Sequence, residues 1–342
     1  MKTKTTTAKA KAPPVSRRTH FERQTGDSLR IRNILVPLDF SPASYAALRF
    51  ALPWLEQFGA ELHLMHVMPD ISTVLGVANL PIVVPDAEVS RRIRRDLSRA
   101  IEKQGFKTPP GHLHIRRGSP FEEICDLAQR TGSDLIAIAT RGNTGFKHLA
   151  LGSTAERVVR YSPCPVLVVR DSRLKNTPGK NGNGGDGMGK VRRILVPIDF
   201  SDCSIRGLAY AKQLAREFGA TVVLLHSVAI PYLLTNDEYA RYDFPLLMMQ
   251  SEKIARQQMR GLIAKTEREG VKVNSSIQIG HAGQQICARA DAEPADLIVT
   301  STHGHTGLKH MLVGSTAEYV IRHASCPVLV VPTRPIPSIK AS

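Results

Sequence analysis

RNILVPLDFS (residues 32–41) returns 160 residues later as RRILVPIDFS (residues 192–201), with eight of ten positions identical. A second stretch, TRGNTGFKHLALGSTAERVVRYSPCPVLVV (residues 140–169), returns as THGHTGLKHMLVGSTAEYVIRHASCPVLVV (residues 302–331), identical at 19 of 30 positions and displaced by 162. Two collinear matches at nearly one displacement indicate duplication of a whole domain, because the period far exceeds the roughly 20 to 50 residues of a solenoid repeat. Between the copies lies DSRLKNTPGKNGNGGDGMGK (residues 171–190), whose Gly, Asn and Lys content suits a flexible, solvated connection. The predicted organisation is a disordered basic tail over residues 1–30, a first domain over 31–170, a linker over 171–190, a second domain over 191–333 and a short tail over 334–342.

Within each copy, short apolar runs alternate with helical patterns, which predicts parallel strands joined by crossover helices. In the first copy strands are expected over residues 33–37, 61–67, 112–116, 135–139 and 165–169. Their near-continuous Ile, Leu and Val content suits strands covered on both faces. Helices are expected over 41–58, 86–104, 120–130 and 153–161, with Gly59 and Gly219 placed as C-terminal caps. The class is therefore α/β: in each copy a five-stranded parallel sheet of order 3-2-1-4-5, with helices on both faces.

The formal net charge is +16, but it is unevenly placed. Residues 1–32 hold nine Lys or Arg against Glu22 and Asp27, and residues 171–193 hold six basic residues against two acidic ones, so the two stretches carry +11. The domains themselves are only mildly basic, which points to positive tails rather than to a groove for specific nucleic-acid recognition. The first 20 residues contain no acid, yet Lys and Thr dominate where an organellar transit peptide would show Arg and Ser. Five cysteines without a C-x-x-C pair fit a reducing cytoplasm, and no run of 18 apolar residues is present to cross a membrane.

In an open parallel sheet a ligand sits at the carboxyl ends of the strands where the winding reverses, here between the first and fourth strands. The two most strongly repeated segments fall at those strand ends. One carries Asp39 and Asp199, each just after a strand-ending proline, Pro37 and Pro197. The other is a glycine-bearing loop over residues 140–154 and 302–316 that leads into a helix. These loops end in Gly152-Ser153-Thr154 and Gly314-Ser315-Thr316, and Glu156 and Glu318 follow. Ser-x-x-Glu before an apolar-periodic run reads as a capping box. The same residues also read as a phosphate cradle, since glycine admits the anion to the backbone and N–H groups and hydroxyls at a helix start bind it. The two readings are compatible. Arg141, Lys147 and His148, with His303, Lys309 and His310 in the second copy, add positive charge to the loop.

A first strand followed by V-P-x-D-F-S, a second ending in H-V, a loop with G-x9-G-S-T and a closing C-P-V-L-V-V together resemble the universal stress protein family over nearly all of both copies. Each motif alone is weak, whereas the combination is specific. The resemblance implies a Rossmann-like, adenine nucleotide α-hydrolase-like fold and a bound ATP or related adenine nucleotide, with Mg2+ an option that needs few protein ligands. ATP-binding members of the family carry G-x2-G-x9-G-[ST], with the acid after the first strand and the backbone after the second-strand His holding adenosine. Carried over, the first copy offers Pro37, Asp39, Val67, Ala139, Arg141, Gly142, Gly152, Ser153 and Thr154. The second offers Pro197, Asp199, Ser227, Ser301, His303, Gly304, Gly314, Ser315 and Thr316. Ala139 and Ser301 occupy the place of the first glycine in the pattern. A Cβ there costs little unless the position needs positive φ or touches a phosphate directly, where the cost reaches about 1 kcal/mol. Ser227 stands where the first copy has Val67, a change tolerated if that residue supplies only its backbone.

No catalytic residue is assigned. Asp39 and Asp199 lack a repeated Ser, His and Asp set that would supply a partner, so they read as ligand-orienting carboxylates rather than general bases, with at most weak ATP hydrolysis. HGHTG (residues 303–307) is similar to the H-x-G-H signature of nucleotidyltransferases, but it follows the fourth strand instead of the first and its counterpart is RGNTG. His281, His303, His305, His310 and His323 lack the spacing of a zinc site, and only His310 has a histidine counterpart, His148, so no metal site is assigned. Cys125 and Cys287 read as small helical hydrophobes, and nothing in the sequence lowers the pKa of Cys164 or Cys326.

The last strands, PVLVVR (residues 165–170) and PVLVVP (residues 327–332), form apolar edges without gatekeeping charge. In the family resembled, such strands pair across a two-fold dimer; a tandem chain can make that contact internally, and pairing between chains stays open. Residues 69–86 and 229–244 differ most between the copies, where divergence near a cleft would alter specificity. The functional expectation is a cytoplasmic stress-response sensor or regulator binding an adenine nucleotide. The alternative is a nucleotide-free interaction scaffold.

Overall fold

The computed structural model describes residues 29–68, 86–103, 112–140, 151–170, 190–229, 240–302 and 313–332. The first copy runs β1 (Asn33–Pro37), α1 (Pro42–Phe58), β2 (Glu61–Met68), α2 (Asp86–Glu102), β3 (Leu113–Arg117), α3 (Pro120–Thr131), β4 (Leu135–Ala139), α4 (Ser153–Tyr161) and β5 (Val166–Val169). The second runs β6 (Arg193–Pro197), α5 (Asp202–Phe218), β7 (Thr221–Val228), α6 (Ala240–Arg268), β8 (Val273–Ile279), α7 (Ala282–Ala292), β9 (Leu297–Ser301), α8 (Ser315–His323) and β10 (Val328–Val331). Residues 1–28 and 334–342 of the expected tails and 171–189 of the linker lie outside the described residues, while Leu29, placed in the tail, is buried in the core.

Local chemistry sets the ends of α1. The Ser41 side chain accepts the Ser44 N–H at 3.1 Å, and Pro42 fills the first turn, where no N–H is needed. Gly59 closes the helix at φ 60°, while the Ala60 N–H reaches back to the Leu55 carbonyl at 2.9 Å. This Schellman pattern lets β2 begin two residues later. Ser201 and Gly219, at φ 65°, do the same for α5.

The sheet order is β3-β2-β1-β4-β5-β10-β9-β6-β7-β8. Each copy thus has the predicted order 3-2-1-4-5, all parallel, with β1 between β2 and β4 at the reversal of winding. The copies join through an antiparallel pair, Val328 opposite Val168, Leu329 opposite Leu167 and Val330 opposite Val166. Ten strands therefore form one sheet, and the two apolar edges foreseen from PVLVV cover each other within the chain.

A core cluster lies on each face, and both clusters run through the two copies. On one face Leu48, Trp54 and Leu167 share a cluster with Leu214 and Leu329. On the other, Ile136 and Val158 share one with Ile298 and Val320. α1 and α5 meet across the seam, where the rings of Trp54 and Phe218 lie 5.2 Å apart and Gln57 donates to the Glu217 carbonyl at 2.9 Å. At the amino ends of the strands the Asp134 carboxylate accepts the N–H groups of Arg32 and Asn33 at 2.7 and 3.2 Å, binding β4 to β1. Asp296 repeats this with Arg192 and Arg193, both at 2.9 Å. Among the described residues no helix is long and apolar enough to cross a membrane.

Candidate functional site

After Pro37 the chain leaves β1 in a tight turn. Leu38 N–H still donates to the Met65 carbonyl of β2 at 2.7 Å. The Asp39 carboxylate then accepts the Ser41 N–H at 3.0 Å, closing an Asx-type turn at the start of α1. Between them Phe40 is held at φ 63°. In the second copy Asp199 accepts from the Ser201 N–H at 3.0 Å and its hydroxyl at 2.5 Å, and Phe200 sits at φ 64°. These are the two described non-glycine residues with positive φ. The left-handed conformation costs an L-residue about 1–2 kcal/mol, so it persists only where the surroundings impose it.

Those surroundings are the same twice. The Phe40 ring lies 4.8 Å from the His66 ring, and the Phe200 ring 4.7 Å from that of His226. Each imidazole donates from Nδ1 to a carbonyl at 2.7 Å, His66 to Leu38 and His226 to Ile198, which places a proton on Nδ1 and fixes the ring's orientation. Sequence reading used these histidines and phenylalanines as motif letters and gave them no role. The signal was their exact repetition; the left-handed phenylalanine itself has no sequence signature. The first copy adds Tyr45, whose hydroxyl pKa is raised by burial and by the nearby Asp39 carboxylate. Its counterpart is Ile205.

The second rim is built at the end of β4 and β9. Ala139 and Ser301 are the last strand residues, each 7% exposed, in extended backbone without positive φ. A Cβ is therefore admitted by the backbone at the place of the first glycine. The Thr140 carbonyl accepts the Gly152 N–H at 2.8 Å, and the Thr302 carbonyl the Gly314 N–H at 2.7 Å, so each loop leaves and returns at one point. Arg141, Gly142, His303 and Gly304 lie outside the described residues, as do Lys147, His148, His305, Lys309 and His310.

The capping box expected at Ser153 and Glu156 does not form. Gly152 is the N-cap, at φ −62° and ψ 139°, and Ser153 is already the first helical residue, so its hydroxyl is one position too late to cap. The Gly152 carbonyl accepts the Glu156 N–H at 3.0 Å, and the Glu156 carboxylate turns along the helix to Arg160 at 3.1 Å. Gly314 and the Glu318–Arg322 pair at 2.6 Å repeat the arrangement. Among the described residues no side chain caps α4 or α8, which start at the carboxyl edge of the sheet. Without a side-chain oxygen at the N-cap, the helix start keeps the dipole and N–H geometry that suit an anion.

Val67 and Ser227 are the penultimate residues of β2 and β7, on the same edge. The Ser227 hydroxyl donates to the Gly280 carbonyl at 2.8 Å, so its side chain braces β8. Pro37 and Pro197 end β1 and β6 beside Met65 and Leu225. The described candidates thus collect at the carboxyl ends of three neighbouring strands in each copy. His281 and His323 instead flank Tyr319, with ring centroids 5.4 and 4.1 Å from it. Among the described residues no group of three side chains is arranged to hold a metal. Burial pushes the Cys125 and Cys164 thiols up to about 12 and Cys287 to about 11, far from a reactive thiolate.

A doubly wound α/β domain present twice in one ten-stranded sheet defines a tandem Rossmann-like type of protein. The sequence profile of the universal stress protein family matches residues 30–170 and 190–332, and the chain belongs to that family. It is similar to universal stress protein Rv2623 of Mycobacterium tuberculosis, 24% identical over 301 residues that cover 87% of this chain and 95% of the relative. Universal stress protein MJ0531 of Methanocaldococcus jannaschii is 32% identical over 146 residues, covering 43% of this chain and 85% of its own length. A universal stress protein of known structure from Archaeoglobus fulgidus superposes with a TM-score of 0.60 at 23% identity, over 90% of this chain and 98% of its own. That likeness shows the fold.

Proposed function

We propose that each copy binds ATP or a related adenine nucleotide, and that the chain works as a nucleotide-responsive regulator of a cytoplasmic stress response. The observation that carries this reading is the exact recurrence of a strained Asp-Phe turn after β1 and β6 and of a Gly-Ser-Thr helix start after β4 and β9, on neighbouring strands at the reversal of winding. In the proposal, Asp39 and Asp199 orient the sugar, and the backbone at Val67 and Ser227 meets the base. Gly152, Ser153 and Thr154, with Gly314, Ser315 and Thr316, receive phosphate. Arg141, Gly142, His303 and Gly304 complete the loop, and Mg2+ would ride on the phosphates. Residues of this type bind and orient; no described group stands as a base for hydrolysis, so any turnover is slow.

Gly152 and Gly314 lie at φ −62° and −59°, which alanine adopts without strain. Gly152→Ala therefore costs about 0.5–1 kcal/mol through the weaker cap, while its Cβ enters the space a phosphate needs. Calorimetric titration with ATP is expected to show two sites per chain in the parent and one in either single variant. Unchanged stoichiometry would misplace the phosphates. The absence of heat at millimolar ATP would remove nucleotide binding and leave the scaffold reading.

A further inference from the structure

Internal pairing of β5 with β10 leaves two outer strands, β3 and β8, and they are not alike. The alternation of backbone groups can be read from the strand ends. Gly118 N–H donates to the Met68 carbonyl, so even-numbered groups of β3 face β2 and odd-numbered ones face outward. The outward Leu113 carbonyl is already taken by the Arg94 guanidinium at 3.2 Å, and Arg116 and Arg117 place two charges on a strand of five residues. This edge is guarded in the way natural sheets guard edges.

Among the described residues β8 has none of these devices. It is seven residues long, VNSSIQI, with no charge and no proline. The Lys272 carbonyl accepts from Val222 and the Gly280 N–H donates to Val228, so even-numbered groups face β7. The N–H and carbonyl groups of Val273, Ser275, Ile277 and Ile279 therefore face outward. Ile279 is 47% exposed. The neighbouring helix α6 spans 29 residues, about 43 Å, against about 23 Å for β8, so its amino-terminal half overhangs the carboxyl edge of the sheet. That half exposes Leu246, Leu247, Met249 and Ile254.

We infer that β8 is the docking edge for a second copy of the chain, paired antiparallel with its own counterpart about a two-fold axis. One register uses every outward group: Val273 opposite Ile279 and Ser275 opposite Ile277, with Ser276 on the axis. In it the flanking Lys272 falls opposite Gly280, so no like charges meet. Most of the +16 charge lies in residues 1–32 and 171–193, and β8 itself carries none, so the paired strands bring no like charges together. The contact is isologous and closes, giving a dimer rather than a fibre. The apolar overhang of α6 flanks the joint on each side.

The test uses the full chain in physiological salt, with mass measured by light scattering during size exclusion over a concentration series. The parent is expected at twice its 37.5 kDa mass. Ser275 is exposed and its N–H faces outward, so Ser275→Pro removes a joint donor without touching the β7 ladder. Ser275→Lys keeps that donor and adds a charge. Both variants should halve the mass while keeping the parent's circular dichroism spectrum. A parent that stays monomeric up to its solubility limit would overturn the proposal, and protected Ser275 and Ile277 amides in such a monomer would show that a segment of the same chain covers the edge. A dimer indifferent to both substitutions would overturn it equally, by placing the interface elsewhere.

Discussion

At the scale of the single residue, one choice among the described residues runs against local preference, a phenylalanine in a conformation that suits glycine. At Phe40 the usual ranking of small residues should invert. In ordinary extended or helical backbone, alanine is more stable than glycine by roughly 0.5–1 kcal/mol, but at φ 63° alanine carries the left-handed penalty and glycine does not. Both substitutions lose the ring against His66, so their difference isolates the backbone term. Phe40→Gly is expected to exceed Phe40→Ala by about 1 kcal/mol in urea unfolding, and the reverse order would mean that the turn relaxes once the ring is gone. The D-F-S motif was plain in the sequence, yet its geometry was not, because local rules assign positive φ to glycine or asparagine. Asp134 was missed for a different reason. Its two bonds to Arg32 and Asn33 span more than a hundred residues, and nothing near it in the chain announces them. Asp134→Ala leaves two backbone donors without their charged acceptor and should cost about 2 kcal/mol or more, with Asp134→Asn costing less.

At the scale of the element, alternation told which residues share a face of a strand, but not which residue of the next strand lies opposite. The first copy shows what that hides. His63 on β2 and His114 on β3 meet at 3.2 Å, and the other His63 nitrogen meets Asn33 Oδ1 at 3.2 Å. With His63 Nε2–H donating to Asn33, its Nδ1 accepts from His114, and both rings are neutral. Burial holds His63 below its ordinary pKa, with His112 adding to the effect and Glu61 opposing it. His114 is lowered to about 4 by burial, then by His63, Arg116, His112 and Arg94. In the unfolded chain both titrate near pH 6.5, so below that value the unfolded state takes up protons that the native pair refuses. Stability should therefore fall as pH drops from about 6.5 toward about 4, and level off below. The second copy has Val223 and Ser276 at these places, so the effect belongs to the first. Urea midpoints measured across this range should slope less in a His63→Gln, His114→Gln variant. An identical slope would assign the acid sensitivity to other groups. The element boundaries themselves were legible, since Asn33–Pro37, Leu135–Ala139 and Ser153–Tyr161 fall where the periodicity put them. The cap on Ser153 failed because a capping box and a Gly-Ser-Thr helix start differ by a single residue of phase.

At the scale of the whole molecule, duplication was readable from the repeats, and the PVLVV edges marked strands that would pair without saying whether within the chain or between chains, whereas the second joint, between α1 and α5, was not readable. Its aromatic residues lie on helices whose apolar positions look like ordinary core, and only the two-fold arrangement turns them toward each other. The joint contains the one tryptophan of the chain, Trp54, which is fully buried. Its ring touches Phe58 of its own copy and Phe218 of the other. Its emission therefore reports the contact between the copies, while far-ultraviolet circular dichroism reports the helices of both. Because one sheet and both core clusters run through the seam, opening it would expose Leu167 and Leu329 together with Trp54, leaving neither half with a closed core. The two signals should then fall together in urea as one transition. Phe218→Ala removes a ring from the joint at a cost of about 3 kcal/mol and should move both curves to lower urea by the same amount. If the copies were independent, the fluorescence midpoint would move alone and the dichroism curve would split in two, since the cavity would then weaken the docking without weakening the domains. Coincident curves would mean that each copy needs the other to complete its fold, so that ligand bound in one crevice stabilises both.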